Sequence, residues 1–209
     1  MNFLFDGPET APFTFLFAHG AGAAMDSPAM TLLAQAFVAA GLRVARFEFG
    51  YMAARRSGDR KPPPRAETLI PEVLTAVDAL DSSGKLLIGG KSMGGRVASM
   101  AADDLSATGR IAGLVCLGYP FHPPGKPDRL RTAHLETLVT PTLIFQGTRD
   151  PFGSRDEVET YALSPAVELR WMEDGDHDLK PRKRETGATH ADYAAQIAGD
   201  VAAWAPALP

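Results

Sequence analysis

The sequence predicts an α/β fold: a mostly parallel central sheet with helices on both faces. Three observations lead there. Apolar, strand-like runs alternate with helical patterns from one end of the chain to the other, which is the signature of βαβ units. Several of the runs, such as Leu114-Val115-Cys116-Leu117, are apolar at every position, as strands buried on both faces must be. And Lys85-Leu86-Leu87-Ile88-Gly89, Gly90-Lys91-Ser92-Met93-Gly94 and Gly95-Arg96-Val97-Ala98 spell strand, sharp turn and helix in immediate succession.

The elements follow in order. Residues 13–18 (Phe-Thr-Phe-Leu-Phe-Ala) read as a strand leading into the small-residue loop His19-Gly20-Ala21-Gly22-Ala23. A helix is expected over 28–40, capped by Asp26 or Ser27, with Pro28 in its first turn and Gly41 at its end. Strand 42–49 comes next. Lys61-Pro62-Pro63-Pro64 then forms a stiff connection into a helix over 65–80. Strand 85–89, helix 93–105, strand 112–119, strand 141–147, helix 156–162, strand 167–172 and helix 190–204 complete the pattern. Residues 2–5 are the only candidate for an early edge strand. No internal repeat or linker interrupts the chain, so one domain is expected over residues 1–209.

Composition narrows the class of function. A length of 209 residues supports one well-buried core, and 45% apolar residues is ordinary for a globular domain. The formal net charge of −4 provides no field to attract nucleic acid. No apolar stretch has membrane-spanning length, and Met1-Asn2-Phe3-Leu4-Phe5-Asp6-Gly7 lacks the basic start and apolar segment of a secretory signal. Cys116 is the lone cysteine and is expected as a buried free thiol. These points favour a cytoplasmic protein with neither nucleic-acid nor membrane partners.

The chemistry centres on the G-x-S-x-G element at residues 90–94. A serine at the apex of so tight a turn sits on strained backbone, and side chains two residues to either side would collide. A hydroxyl is a weak nucleophile that needs a base, and the base needs an orienting group. Downstream, strand 141–147 ends in Gly147-Thr148-Arg149-Asp150-Pro151, and strand 167–172 runs into Glu173-Asp174-Gly175-Asp176-His177. Both loops fall past the carboxyl ends of strands, where sites of open α/β sheets assemble. Ser92 is therefore the expected nucleophile, His177 the base and Asp150 the acid. Asp174, Asp176 and Asp178 are rival acids, but immediate sequence neighbours rarely point at the ring they flank. The oxyanion hole is expected from the backbone N–H groups of Met93 and, in the loop after strand 13–18, of Ala21. His19 is expected to bond loop backbone. Each of these residues also has a plain alternative: a glycine-rich packing loop, a turn aspartate before proline, a solvated loop histidine.

With these residues in place, the chain resembles the α/β-hydrolase superfamily over nearly its whole length. Gly89–Arg96, His19–Gly22, Arg46–Met52 and Asp176–Lys180 are similar to a small subgroup that includes a testis-expressed protein, a chromatin-complex subunit and bacterial relatives. The resemblance implies that the His19 loop and the Ser92 turn lie on adjacent central strands, with the first one or two strands of the larger fold reduced or missing.

The stretch from Tyr119 to Pro141 is too short for a lid domain and is partly filled by Phe121-His122-Pro123-Pro124-Gly125-Lys126-Pro127. A shallow, open site is expected, lined by Met25, Tyr51, Met52, Phe121 and Phe152. Lys180, three residues after His177, is a candidate substrate contact. Basic residues at Arg55-Arg56, Arg60-Lys61 and 180–184 favour an anionic substrate if they face the site. Lys91 is expected either to pair with an acid such as Glu48 or to cap its strand. The reading is a serine hydrolase for a small carboxylic ester or thioester, without cofactor. The competing reading is a non-catalytic binding or scaffold domain on the same fold. A metal site built from Asp174, Asp176, His177 and Asp178 lacks calcium-loop or zinc-ligand spacing. An acid or thiol nucleophile is disfavoured because the apex residue is serine.

Overall fold

The computed structural model describes residues 1–58, 62–82 and 84–208. Seven strands form one sheet: β1 (Phe3–Asp6), β2 (Phe13–Ala18), β3 (Arg43–Phe47), β4 (Lys85–Lys91), β5 (Gly113–Leu117), β6 (Thr142–Gly147) and β7 (Val167–Met172), in the order β1-β3-β2-β4-β5-β6-β7. Only the β1–β3 pair is antiparallel; every other pair is parallel. The edge strand expected near residues 2–5 is β1. Arg60 and Lys61, part of the basic cluster noted in the sequence, lie outside the described residues.

Alternation along the strands sorts side chains to two faces. In β2, Phe15 and Phe17 join one core with Met30, Leu33, Ala34 and Phe37 of α1 (Pro28–Ala39) and Ile197, Ala198 and Val201 of the C-terminal helix at His190–Trp204. Leu16 and Ala18 point the other way, into a core with Val73, Ala76 and Val77 of the helix at Ile70–Ala79 and Val97, Ala98 and Ala101 of the helix at Met93–Ala107. Helix α1 shows how sequence makes the element. Ser27 caps it by accepting from Met30 N–H, and Pro28 occupies its first turn. Its buried residues recur at helical spacing, and Phe37 meets Phe15 edge-on at a centroid distance of 5.0 Å.

Four expectations change. Strand 42–49 is shorter, and Gly50–Arg56 is a helix, α2. The expected helix 65–80 opens as a 3-10 turn at Ala66–Leu69 before α3, Ile70–Ala79, because Pro71 belongs in a helical first turn. After α4 (Met93–Ala107), the expected helix 156–162 contracts to α5, Arg155–Val158, opened by a Ser154–Glu157 capping box. A short α6 (Lys183–Thr186), ended by Gly187 at φ 76°, precedes α7 (His190–Trp204). Between β5 and β6 there is no helix or strand, so no lid domain is inserted there. No described helix is long and apolar enough to cross a membrane.

Candidate active site

The carboxyl ends of β2 and β4 lie side by side, with Ala18 opposite Gly90. Ser92 follows β4 directly, at φ 52° and ψ −116°, a region that costs a non-glycine residue on the order of 1–3 kcal/mol. The turn is held from both sides: Ser92 N–H donates to Leu117 O at 2.9 Å, and Arg96 N–H donates to Ser92 O at 3.0 Å. Its tightness explains the flanking glycines. A Cβ on Gly90 would lie 2.4 Å from Ala18 O and 2.8 Å from Gly94 C; one on Gly94 would lie 2.5 Å from Ala18 O. Neither has room for any side chain.

Ser92, His177 and Asp150 form one hydrogen-bonded line. His177 Nε2 is 2.8 Å from Ser92 Oγ, and His177 Nδ1 is 2.8 Å from Asp150 Oδ2. Asp150 is fully buried, and its carboxylate also accepts from Gln146 Nε2 at 3.0 Å and from Phe152 N–H at 2.8 Å. With donors all round it, the carboxylate accepts the Nδ1 proton, which leaves Nε2 as acceptor for the serine hydroxyl. The Phe152 ring stacks on the imidazole at 4.0 Å. The rival acids turn elsewhere. Asp174 binds Arg182 through both oxygens, and these hydrogen bonds hold its carboxyl down to about 2. Asp176 Oδ1 accepts from the N–H groups of Asp178 and Lys180. Asp178 pairs with Lys91 at 3.2 Å. These carboxylates point apart, and no described cluster of His, Cys, Asp and Glu is placed to hold a metal ion.

Beside Ser92 runs the His19–Ala23 loop; a Cβ on Gly20 would lie 3.7 Å from Ser92 Cβ. His19 is fully buried. Its Nε2 accepts from Phe49 N–H at 3.1 Å, so its Nδ1 carries the proton given to Gly20 O at 2.7 Å. Burial pushes its pKa below the usual histidine range and keeps it neutral. Tyr51 Oη donates to Ala21 O at 3.1 Å. Further along, Arg56 binds both Asp26 and Glu48, and Glu48 accepts from Met25 N–H. Opposite the loop, α4 starts at Met93. Its first three N–H groups, those of Met93, Gly94 and Gly95, have no acceptor within the helix, so its positive end faces the serine.

Two clefts meet at Ser92. One, of about 360 Å³, is lined by Ala21, Ala23, Met30, Leu33, His177 and His190 among others. The other, of about 340 Å³, is lined by Ala21, Met93, Arg65, Glu67, Arg96 and Arg131 among others. Phe152 borders both. The other five residues expected to line the pocket border neither cleft. Tyr51 and Met52 are on α2, where Tyr51 braces the His19–Ala23 loop and Met52 enters the core. Phe121 is fully buried against Tyr119 and Tyr161. Met25 is fixed through its backbone, its carbonyl accepting from Arg46. Lys180 is exposed, and its backbone ties the loop to Asp176 and Arg149. Lys91 pairs with Asp178 and not with Glu48, which Arg56 occupies. Met30, Leu33, His190, Arg96 and Arg131 were not read from the sequence as site residues. The helical stripe that buries Met30 and Leu33 is also what presents them to the cleft; no local signal marks Arg131.

A family model described as "Alpha/beta hydrolase domain" matches residues 11–206. Among solved structures, the chain is similar to XC6422 from Xanthomonas campestris, described as an α/β serine hydrolase without lid. The TM-score is 0.68 at 21% identity, covering 98% of this chain and 89% of that one. It is similar to the esterase domain of a Rhodothermus marinus protein, with TM-score 0.66, 18% identity and coverage of 98% and 91%. It is also similar to Est1E from Butyrivibrio proteoclasticus, solved with ferulic acid, with TM-score 0.68, 16% identity and coverage of 99% and 95%.

Proposed function

The chain belongs to the α/β-hydrolase family, and on that premise we propose that it is a serine hydrolase cleaving a small carboxylic ester or thioester through an acyl-enzyme. One observation carries the reading: the unbroken Ser92–His177–Asp150 line, with both contacts at 2.8 Å, on a strained turn. Ser92 Oγ attacks the acyl carbonyl while His177 Nε2 takes its proton. Asp150 fixes the tautomer and stabilises the imidazolium. The carbonyl oxygen, now an oxyanion, is received by the N–H groups of Met93 and Ala21. His177 returns the proton to the departing alcohol or thiol. Water then enters on the same side and attacks the acyl carbon while giving a proton to His177; the acyl–Oγ bond breaks, the acid leaves and His177 returns that proton to Ser92 Oγ. No cofactor takes part. The open carboxyl edge suits a small substrate better than a lipid chain, which needs a long apolar tunnel.

The test is intact-protein mass after exposure to a fluorophosphonate, with Ser92→Ala alongside. A single adduct on the wild type and none on the variant is expected. A well-folded wild type that takes no adduct refutes the activated serine and favours the binding-domain reading.

A further inference from the structure

Of the two clefts beside Ser92, one has a charge character that ester cleavage alone does not call for. Its rim carries Arg65, Arg96 and Arg131 against one carboxylate, Glu67, in a chain whose net charge is −4. Glu67 is engaged by Arg96. Arg96 Nε is nevertheless buried without an acceptor. The Arg131 guanidinium has no hydrogen-bond or ion-pair partner given by any described residue. Both residues border the cleft, and burial and the nearby Arg96 push the Arg131 pKa down. The buried Arg96 Nε without an acceptor is costly, and the half-exposed Arg131 guanidinium beside it adds a second positive charge for an incoming anion to meet.

Both arginines are held from below by one polar cluster. Ser99 Oγ donates to Arg96 O at 2.8 Å, and Tyr119 Oη donates to Arg131 O at 3.1 Å. Each hydroxyl has a single proton, so His134 Nε2, 2.8 Å from Ser99 Oγ and 3.4 Å from Tyr119 Oη, is the donor to both. Burial keeps His134 from charging. These bonds fix the backbone carbonyls of both arginines, and so where each side chain starts.

The geometry also says which part of the substrate enters. The leaving group must lie where His177 can protonate it, and His177 borders the apolar cleft. Met93, on the oxyanion side, borders the arginine cleft. We propose that the arginine cleft is the acyl subsite and that it takes an acyl group with a terminal carboxylate, so that the substrate is a half-ester or half-thioester of a short dicarboxylic acid. This rests on the serine-hydrolase reading for the reaction, while the anion site itself can be measured without turnover.

Two measurements test it. The first is the kcat/KM ratio of 4-nitrophenyl hemiglutarate to 4-nitrophenyl valerate, esters of matched length. Wild type should favour the anionic ester tenfold or more, Arg131→Gln should lower that ratio at least tenfold, and Arg131→Lys should recover part of it. Arg110→Gln, which breaks an exposed pair with Asp78 away from the clefts, should leave the ratio alone. The second is calorimetric binding of monomethyl glutarate to Ser92→Ala, expected to weaken at least tenfold on adding Arg131→Gln. Turnover of valerate with no anionic preference overturns the subsite and leaves the hydrolase standing. Monomethyl glutarate binding that depends on Arg131, without turnover of either ester, upholds the anion site and removes the hydrolase. Absence of monomethyl glutarate binding to the folded protein overturns the subsite in either case.

Discussion

Asp150→Asn isolates the charge behind His177 while preserving shape. The carboxylate is fully buried and receives three donors: His177 Nδ1, Gln146 Nε2 and Phe152 N–H. An asparagine has one oxygen and one NH₂ group. If the NH₂ takes the Oδ2 place, it faces Gln146 and forces the His177 proton onto Nε2, where it can no longer accept from Ser92. If it takes the Oδ1 place, it faces Phe152 N–H. Either way a buried donor meets a donor, at a cost of about 1–3 kcal/mol in stability. In the transition state the imidazolium also loses its counter-charge. At roughly 4 Å and an effective dielectric constant of about 20, that is worth about 4 kcal/mol, or about a thousandfold in rate at about 1.36 kcal/mol per decade. The tautomer penalty adds to it, so kcat should fall by about 10³ to 10⁴. The assay is steady-state hydrolysis of 4-nitrophenyl butyrate, with denaturant unfolding of the same samples. A variant within tenfold of wild type, or greater damage from Asp174→Asn or Asp178→Asn, refutes this assignment of the acid.

Other perturbations follow from the same geometry. Phe152→Ala removes the ring stacked on His177 at 4.0 Å; kcat should drop about tenfold from the loosened imidazole, which the same ester assay reads, and no change would mean the ring does not position the base. Gly94→Ala places a Cβ 2.5 Å from Ala18 O, so the folded state should lose about 3 kcal/mol by thermal unfolding; an undiminished Tm contradicts so tight a turn. The Asp174 carboxyl is depressed to about 2 by Arg182. Its stabilising effect is therefore complete above the unfolded value near pH 4 and disappears as pH falls toward 2. Asp174→Asn should flatten the acid limb of the stability profile over that window, and identical limbs for both proteins would count against the pairing.

Much of this was legible in the sequence because the relevant signals are local. Uninterrupted apolar runs mark β4, β5 and β6, and the glycines around Ser92 mark a turn that admits nothing larger. The loops holding Asp150 and His177 each follow a readable strand, so their meeting at one sheet edge was foreseeable. What escaped depends on contacts distant in the chain. Helix α2 begins at Gly50, a poor helix former, without a side-chain cap of its own. Its first N–H is satisfied by Glu72 Oε2 at 2.7 Å, from α3, and no local pattern announces that. Tyr51 and Met52 were therefore expected in a loop at the pocket, whereas the helix turns them to bracing and core roles. Arg96 and Arg131 reach one wall only through the return of the chain after β5, and their shared support through Ser99, His134 and Tyr119 has no signature in sequence spacing.

Cys116 lies directly under the Ser92 turn and the start of α4. Its Sγ is 3.5 Å from Gly95 O, it is wholly buried, and burial pushes its pKa well above the usual thiol range. A thiol reagent can reach it only when α4 lifts from β5, and that same movement dismantles the Ser92 turn. The alkylation rate of the unmodified protein is then a clock for local opening of the Ser92 turn: the intrinsic thiol rate multiplied by the small fraction of time spent open. Any compound that grips the closed site must slow that clock in proportion to its occupancy, so ligands can be ranked with no chromogenic substrate and without altering a residue.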